Sequence, residues 1–216
     1  MRTLAQRTVL GFGLVAAVMA MAGPALAHHP LGGETPTTFW HGFLSGVGHP
    51  IIGFDHFAFV VAVGLASAFL ASRLMMPLVF VVATVVGCML AYNGVTMPAA
   101  EIVIAGSVLV LGAMVMSGAA LPVWLCALLF AVAGVFHGGA YAGAIIGAEA
   151  TPLVAYMASF SLTQYVIALI AMAVARSVWK AASQVAVQPR LAGAVVAGIG
   201  VTFLVENVES LILPAA

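Results

Sequence analysis

Six long apolar runs follow one another along the chain, and the short stretches between them hold most of the polar residues. Each run is close to the roughly 20 residues that a helix needs to cross about 30 Å of hydrocarbon. An open sheet could not satisfy its backbone hydrogen bonds in lipid, so the runs are predicted to be helices. The pattern predicts an all-α integral membrane protein whose six transmembrane helices lie at 55–72, 75–92, 98–117, 121–137, 152–175 and 191–213.

The first residues have the pattern of a cleavable signal peptide. Two arginines precede a short apolar run, which ends in the small-residue pattern Ala25-Leu26-Ala27. An uncleaved anchor is the alternative, but the run is short for a membrane span. With cleavage, the chain divides into a signal peptide at 1–27, a polar, histidine-containing periplasmic lead-in at 28–48 and a transmembrane domain at 49–216.

Composition supports the membrane assignment and excludes other classes of protein. Hydrophobic residues make up 64% of the chain and charged residues 6%, with a mean hydropathy of +1.23. A soluble globular domain has an apolar share of about 45–50%. No basic cluster suggests nucleic acid binding, and the lipid bilayer is the expected surroundings. Cys88 and Cys126 lie inside apolar runs without metal-ligand spacing, so they are predicted to be packing residues.

The basic residues predict the orientation of the helices. Arg73 lies between the first two runs, and Arg176, Lys180 and Arg190 lie between the last two. Both loops fall on the same side of a chain with six spans, so they are predicted to be cytoplasmic. The mature N-terminus is then periplasmic, as the signal peptide requires, and the protein is expected in the bacterial inner membrane.

Three polar groups with metal-binding chemistry stand within eight residues, where the first predicted span begins. They are His49, Asp55 and His56. In a straight helix the two histidines would lie about 10.5 Å apart along the axis, whereas two nitrogens on one ion lie within about 4.2 Å of each other. Pro50 disfavours helical geometry at His49, and Gly53 permits an unusual turn, so a break is predicted between them. The alternative is that Asp55 only caps a helix.

Other candidate ligands fall on the same predicted side of the membrane. His137 ends the fourth span, Glu101 lies at the beginning of the third, and Glu149 lies in the loop before the fifth. Glu101 has an ordinary alternative role, because the dipole of a helix N-terminus favours a carboxylate. The complete segregation of acids and histidines nevertheless indicates a cation-collecting face. A freed α-amine next to His28 and His29 could capture a metal ion as well, although a solvated tail is the alternative.

The fifth predicted span carries a polar face. Tyr156, Ser159 and Thr163 are spaced to share one side of a helix, with Gln164 beside them. The stripe extends about 16 Å from Pro152 and therefore reaches the bilayer midplane. It could line an ion pathway, or it could serve hydrogen bonding between helices.

Two motifs resemble those of the HupE/UreJ family of membrane proteins. His49-x5-Asp55-His56, with Pro50 and Gly53, is similar to the family's HPxxGxDH signature, and the segments 136–141 and 148–152 are similar to its second signature. Tyr141 stands where many members have a second histidine, and a phenol is a poor ligand for a divalent ion at neutral pH. The resemblance covers nearly the whole chain. It implies a nickel or cobalt permease with a functional link to the maturation of nickel or cobalt enzymes.

The sequence therefore predicts a transporter rather than an enzyme, with Ni²⁺ or Co²⁺ as the imported substrate and no resident cofactor. Imidazoles with one or two carboxylates suit borderline divalent ions. No ATP-binding P-loop is present, so a secondary carrier or channel is expected. One alternative is a membrane-embedded zinc hydrolase, although the sequence contains no HExxH motif. The other is a non-transporting metal-binding assembly factor. Both monomer and homo-oligomer stay open. The predicted ligands are His49, Asp55, His56 and His137, with Glu101 and Glu149 as auxiliary groups.

Overall fold

A computed structural model describes residues 34–120 and 122–213, which form helices and no strand. The predicted signal peptide, its cleavage position, His28 and His29 lie outside these residues. A short 3-10 helix at Ala142–Ala144 follows α5, and a π-helical turn at Val174–Val178 follows α6. The described residues contain seven α-helices: α1 (Phe39–Ile52), α2 (Phe54–Ser67), α3 (Met76–Tyr92), α4 (Ala100–Ser117), α5 (Val123–Tyr141), α6 (Ala150–Ala173) and α7 (Val187–Ile212).

Most of these helices can cross a membrane. By length and composition, α4, α5, α6 and α7 with their short extensions each qualify as a span. A fifth candidate is the pair α1 and α2, which is bent by 77°. The second predicted span corresponds to α3, a shorter apolar helix of 17 residues. The chain is therefore an all-helical, multi-pass membrane protein with four or five long candidate spans in its described part.

The first helix begins much earlier than the sequence pattern predicted. No helix was expected before Asp55, yet α1 begins at Phe39 and is capped by Thr38, whose hydroxyl accepts a hydrogen bond from the backbone of His41. Gly42 and Gly46, four residues apart, bring α1 directly against the backbone of α6. This close approach stabilises a segment whose glycines suggested a loop.

The break in the first span also differs from the prediction. His49 and Pro50 both lie in the last turn of α1, and the chain leaves helical geometry only at Gly53, where φ is −68° and ψ is 101°. That conformation is open to most residues, so the predicted unusual turn is not what requires glycine. Glycine is required here because there is no room for a side chain: a Cβ at Gly53 would lie 2.7 Å from Cδ2 of the His56 ring.

Glycines bring the helices together in pairs. Gly112 on α4 and Gly200 on α7 face the backbone of the opposite helix, and Gly87 on α3 faces α5 in the same way. Gly106 and Gly198, however, point into open space. Each pair of helices is thus held at the short distance that small interfacial residues allow.

The two ends of the bundle differ in chemistry. Arg176 donates a hydrogen bond to the carbonyl of Ala68 at 2.9 Å, and Arg190 donates one to the carbonyl of Met116 at 2.9 Å. These contacts join the ends of α2 and α4 to the turn that follows α6 and to the beginning of α7, and we call this the basic end. The opposite end, where α2 begins and α5 ends, is called the histidine end. The two basic loops therefore lie on one side, as predicted.

Candidate functional site

The break at Gly53 brings two histidines of the first motif together. Their ring centroids, on His49 and His56, are 5.9 Å apart, whereas a straight helix would separate the two residues by about 10.5 Å along its axis. Both side chains are at most 4% exposed, and so is Asp55. One oxygen of Asp55 accepts a hydrogen bond of 2.8 Å from the backbone N–H of His56. The predicted break is confirmed, three residues beyond the proline.

His137 completes a buried group of three imidazoles. Its Nδ1 lies 2.8 Å from Nδ1 of His56, and its Nε2 lies 3.0 Å from the hydroxyl of Ser107 on α4. His137 has no exposed surface. Four helices thus meet at the histidine end, because α1, α2, α4 and α5 each contribute one of these side chains.

A tyrosine pair borders the imidazoles on the other side. The Tyr156 hydroxyl of α6 lies 3.0 Å from Nδ1 of His49 and donates to the carbonyl of Tyr141 at 2.7 Å. The Tyr141 ring packs against both His49 and His56, with centroid distances of 4.9 and 4.6 Å. Its buried hydroxyl has no hydrogen-bond partner in the described structure. Tyr141 thus occupies a position between the two histidines of the first motif.

An apolar core seals the bundle on the basic side of this cluster. Phe59 lies one turn beyond His56 on α2, and its ring is 4.5 Å from that of His137. Phe80 of α3 packs against Phe59 at 5.1 Å and against His137 at 5.8 Å. Both phenylalanines are buried within the main hydrophobic core. The polar cluster is therefore closed off from the basic end.

The structure does not bring all predicted ligands together. Glu101 and Glu149 are exposed residues at the beginnings of α4 and α6, outside the buried cluster. Within residues 34–120 and 122–213, no three side chains of His, Cys, Asp or Glu are grouped so that they could hold one metal ion. His56 and His137 lie within hydrogen-bonding distance of each other, so the predicted histidine ligands are neighbours in this part of the chain without forming a closed cage.

The polar face of α6 is only partly as predicted. Tyr156, Ser159 and Gln164 are buried, whereas Thr163 is half-buried. The Gln164 amide donates to the hydroxyl of Thr84 on α3 at 3.3 Å, and its side-chain oxygen has no partner among the described residues. Gln164, rather than Thr163, therefore continues the buried polar line towards the middle of the bundle.

Neither Ser107 nor the packing role of Tyr141 was predicted from the sequence. Ser107 is a single small polar residue in the apolar α4, and such residues usually bond to their own helix backbone. Its burial beside His137 depends on contacts between residues 30 positions apart. The one available signal was that α4 contains no other hydroxyl before Ser117.

Comparison with known proteins agrees with the motif. The family model described as HupE / UreJ protein matches residues 16–203. Protein HupE from Rhizobium leguminosarum bv. viciae is 29% identical over 191 residues, which cover 86% of this chain and 94% of that protein. No solved structure matches the chain significantly. Since the family model spans most of the sequence and includes every helix of the buried cluster, this chain belongs to the HupE/UreJ family.

Proposed function

We propose that this protein is a transporter that carries Ni²⁺ or Co²⁺ inward across the bacterial cytoplasmic membrane. The observation that carries the proposal is the buried group of His49, Asp55, His56 and His137 at a broken helix. Ionisable side chains are costly inside a membrane bundle and usually mark an ion or substrate site. Neutral imidazoles with a carboxylate suit borderline divalent ions better than Mg²⁺ or Ca²⁺, which prefer oxygen ligands.

The proposed orientation places the histidine end in the periplasm. Arg176 and Arg190 mark the basic end as cytoplasmic by the positive-inside rule. In this arrangement α3 also crosses the membrane and brings the number of spans to six, since its 17 residues are near the lower limit for a span. The signal peptide directs the mature N-terminus to the periplasm, where His28, His29, Glu101 and Glu149 gather ions before they enter.

Transport requires the cluster to open in two directions. Phe59 and Phe80 close the path on the cytoplasmic side, so an ion bound at the histidines is held until the helices move. The bend at Gly53 would act as the hinge for that movement, because it separates α1 from α2. On the histidine side of Phe80, Gln164 of α6 donates to Thr84 of α3. The polar line of α6 therefore offers exchangeable contacts as far as the closed layer, and conduction needs such contacts more than tight binding.

The transported ion then supplies nickel or cobalt enzymes in the cytoplasm, as the family resemblance implies. No resident cofactor is required, because the metal is the substrate. Histidines that lie close together without forming a closed cage are suited to binding and release. They are less suited to the tight retention that an assembly factor needs.

Replacing His56 with alanine is expected to abolish metal accumulation by intact cells. This residue contacts His49, His137 and Tyr141, so its loss removes a donor and separates the other two histidines. The measurement is cellular Ni²⁺ and Co²⁺ content after uptake, normalised to the amount of protein in the membrane.

The matched control is His41→Ala. His41 lies on α1 like His49, but it is exposed and bonds only near the helix start, to Thr37 and Thr38. The control is expected to accumulate metal as the unaltered protein does. Equal accumulation by the His56→Ala variant, or equal loss in both variants, would contradict the proposed role of the buried cluster.

A further inference from the structure

An apolar groove lies at the basic end of the bundle, between α2 and α4. Its volume is about 150 Å³. Its walls come from both helices and from the segments 118–120 and 184–189, and they include Leu65, Phe69 and Met114. A cavity of this size holds an apolar guest of about six carbons. The groove therefore has the space and the surface for part of an acyl chain.

One arginine stands at the edge of this groove. Arg190 follows Pro189, which lines the groove, and its Cδ lies 3.1 Å from the position that a Cβ on Gly118 would take. Its Nε donates to the carbonyl of Met116, which fixes the exposed side chain at the groove wall. The two terminal nitrogens have no partner among the described residues. A guanidinium held in this way is suited to binding a phosphate through two parallel hydrogen bonds.

The charges of the described chain are separated by end. The basic end carries four positive side chains, which are Arg73, Arg176, Lys180 and Arg190. The acidic residues lie before α1 and α6, in the first turns of α2 and α4 and in the last turns of α7. Since α7 runs antiparallel to α4, with Gly193 at Met116 and Gly200 at Leu109, all of these positions belong to the histidine end. The described part of the basic end therefore lacks a carboxylate partner for its four charges.

We propose that the groove and Arg190 form a binding site for one phospholipid with an anionic headgroup. The acyl chain occupies the groove, and the phosphate accepts hydrogen bonds from the terminal nitrogens of Arg190. Gln184, a half-buried polar residue of the groove wall, contacts the headgroup. Basic pockets between transmembrane helices on the cytoplasmic side commonly bind anionic lipids. The site is separate from the buried histidines and does not depend on which ion the protein carries.

A lipid fits this site better than a free anion does. A phosphate ion would use only Arg190, and a neutral lipid would use only the groove. An anionic phospholipid satisfies both, and the surrounding positive charge favours it further. The groove also lies at the right depth, because α4, a candidate membrane span, ends at Ser117 beside it. The end of a span is where headgroups meet acyl chains.

The test is native mass spectrometry of the purified protein in detergent, after incubation with equal amounts of phosphatidylglycerol and phosphatidylcholine that have the same acyl chains. We expect the unaltered protein to retain one phosphatidylglycerol in preference. Arg190→Gln is expected to lower this retention roughly 10- to 100-fold, as the loss of hydrogen bonds to a charged group does. Equal retention of the two lipids by the unaltered protein, or undiminished retention in Arg190→Gln, would overturn the proposal.

Arg73→Gln is the matched control. It removes one positive charge from the same end, but Arg73 does not line the groove. The carbonyl of the next residue, Leu74, accepts a hydrogen bond of 3.2 Å from Tyr165, which places this segment beside α6. The variant is expected to retain phosphatidylglycerol as the unaltered protein does. Equal loss in both variants would indicate a diffuse attraction of the basic end and would contradict a defined site.

Two further measurements test the apolar half of the site. Ala66→Leu places a larger side chain on the groove wall and is expected to lower the retention of phosphatidylglycerol although Arg190 is intact. Circular dichroism shows whether the variant is folded, and undiminished retention by the folded variant would contradict binding in the groove. Excess glycerol phosphate, which has the headgroup without the chains, is expected to leave the lipid in place. Displacement by glycerol phosphate would indicate a site for free phosphate and would overturn the proposal.

Discussion

Replacing Gly53 with valine is expected to lower Ni²⁺ affinity roughly 10- to 100-fold. This is the usual effect of losing a contact that orients a metal-binding side chain. The backbone angles at Gly53 suit valine, so the strain arises from space alone. A Cβ there would lie 2.7 Å from the His56 ring and 3.3 Å from the carbonyl of His49. The His56 ring must move, and its 2.8 Å contact with His137 is lost. Calorimetric titration of the purified protein with Ni²⁺ measures the change.

Gly198→Val is the control for this substitution. Gly198 lies within α7, and nothing lies within 4 Å of the position that its Cβ would take. We expect this variant to bind Ni²⁺ like the unaltered protein. Undiminished affinity in Gly53→Val would show that the position of the His56 ring does not govern binding.

Replacing Gly112 with alanine is expected to destabilise the bundle by about 1–3 kcal/mol, the usual effect of overpacking. A Cβ at Gly112 would lie only 2.8 Å from Cα of Ala197, and a backbone cannot turn aside as a flexible side chain can. The helices α4 and α7 must therefore separate. Unfolding of the detergent-solubilised protein, followed by circular dichroism, measures the change in free energy.

Gly106→Ala provides the comparison within the same helix. The space around Gly106 is open, so the added methyl meets no neighbouring atom. Because alanine also favours the helix more than glycine, this variant is expected to be as stable as the original or slightly more stable. Equal destabilisation by both substitutions would contradict the assigned interface between α4 and α7.

The apolar pattern was sufficient to predict the helical class and the positions of most membrane helices. It failed at α1, because glycines and scattered polar residues at 34–48 suggested a lead-in. What makes α1 a helix is its contact with α6 through Gly42 and Gly46. A contact between segments more than 100 residues apart leaves no mark in the local pattern, and tertiary packing commonly overrides local preference.

The candidate site was predictable only where its residues are close in sequence. His49, Asp55 and His56 lie in one short segment, and the need for a break between them followed from the length of a helix. His137 was found by its chemistry, but its bond to His56 joins residues 81 positions apart. The relative rotation of α2 and α5 decides that contact, and the sequence alone does not give this rotation.

The carboxylates illustrate the same difficulty in reverse. Glu101 and Glu149 lie at the same end of the bundle as the cluster. A prediction that considers only this end therefore groups them with His49 and His56. Depth and rotation separate them, because both lie at exposed helix starts while Asp55 is buried. Position at the same end of the bundle is therefore weaker evidence that a residue is a ligand than burial next to the other candidate ligands.

The most direct test of the account is ion flux through the purified protein in liposomes, with Ni²⁺ and Co²⁺ supplied outside and Zn²⁺ as the comparison. For a nickel or cobalt transporter, we expect saturable entry of Ni²⁺ or Co²⁺ that disappears in the His56→Ala variant. Stoichiometric metal binding without flux of any of the three ions would contradict it and would indicate a binding protein instead of a transporter.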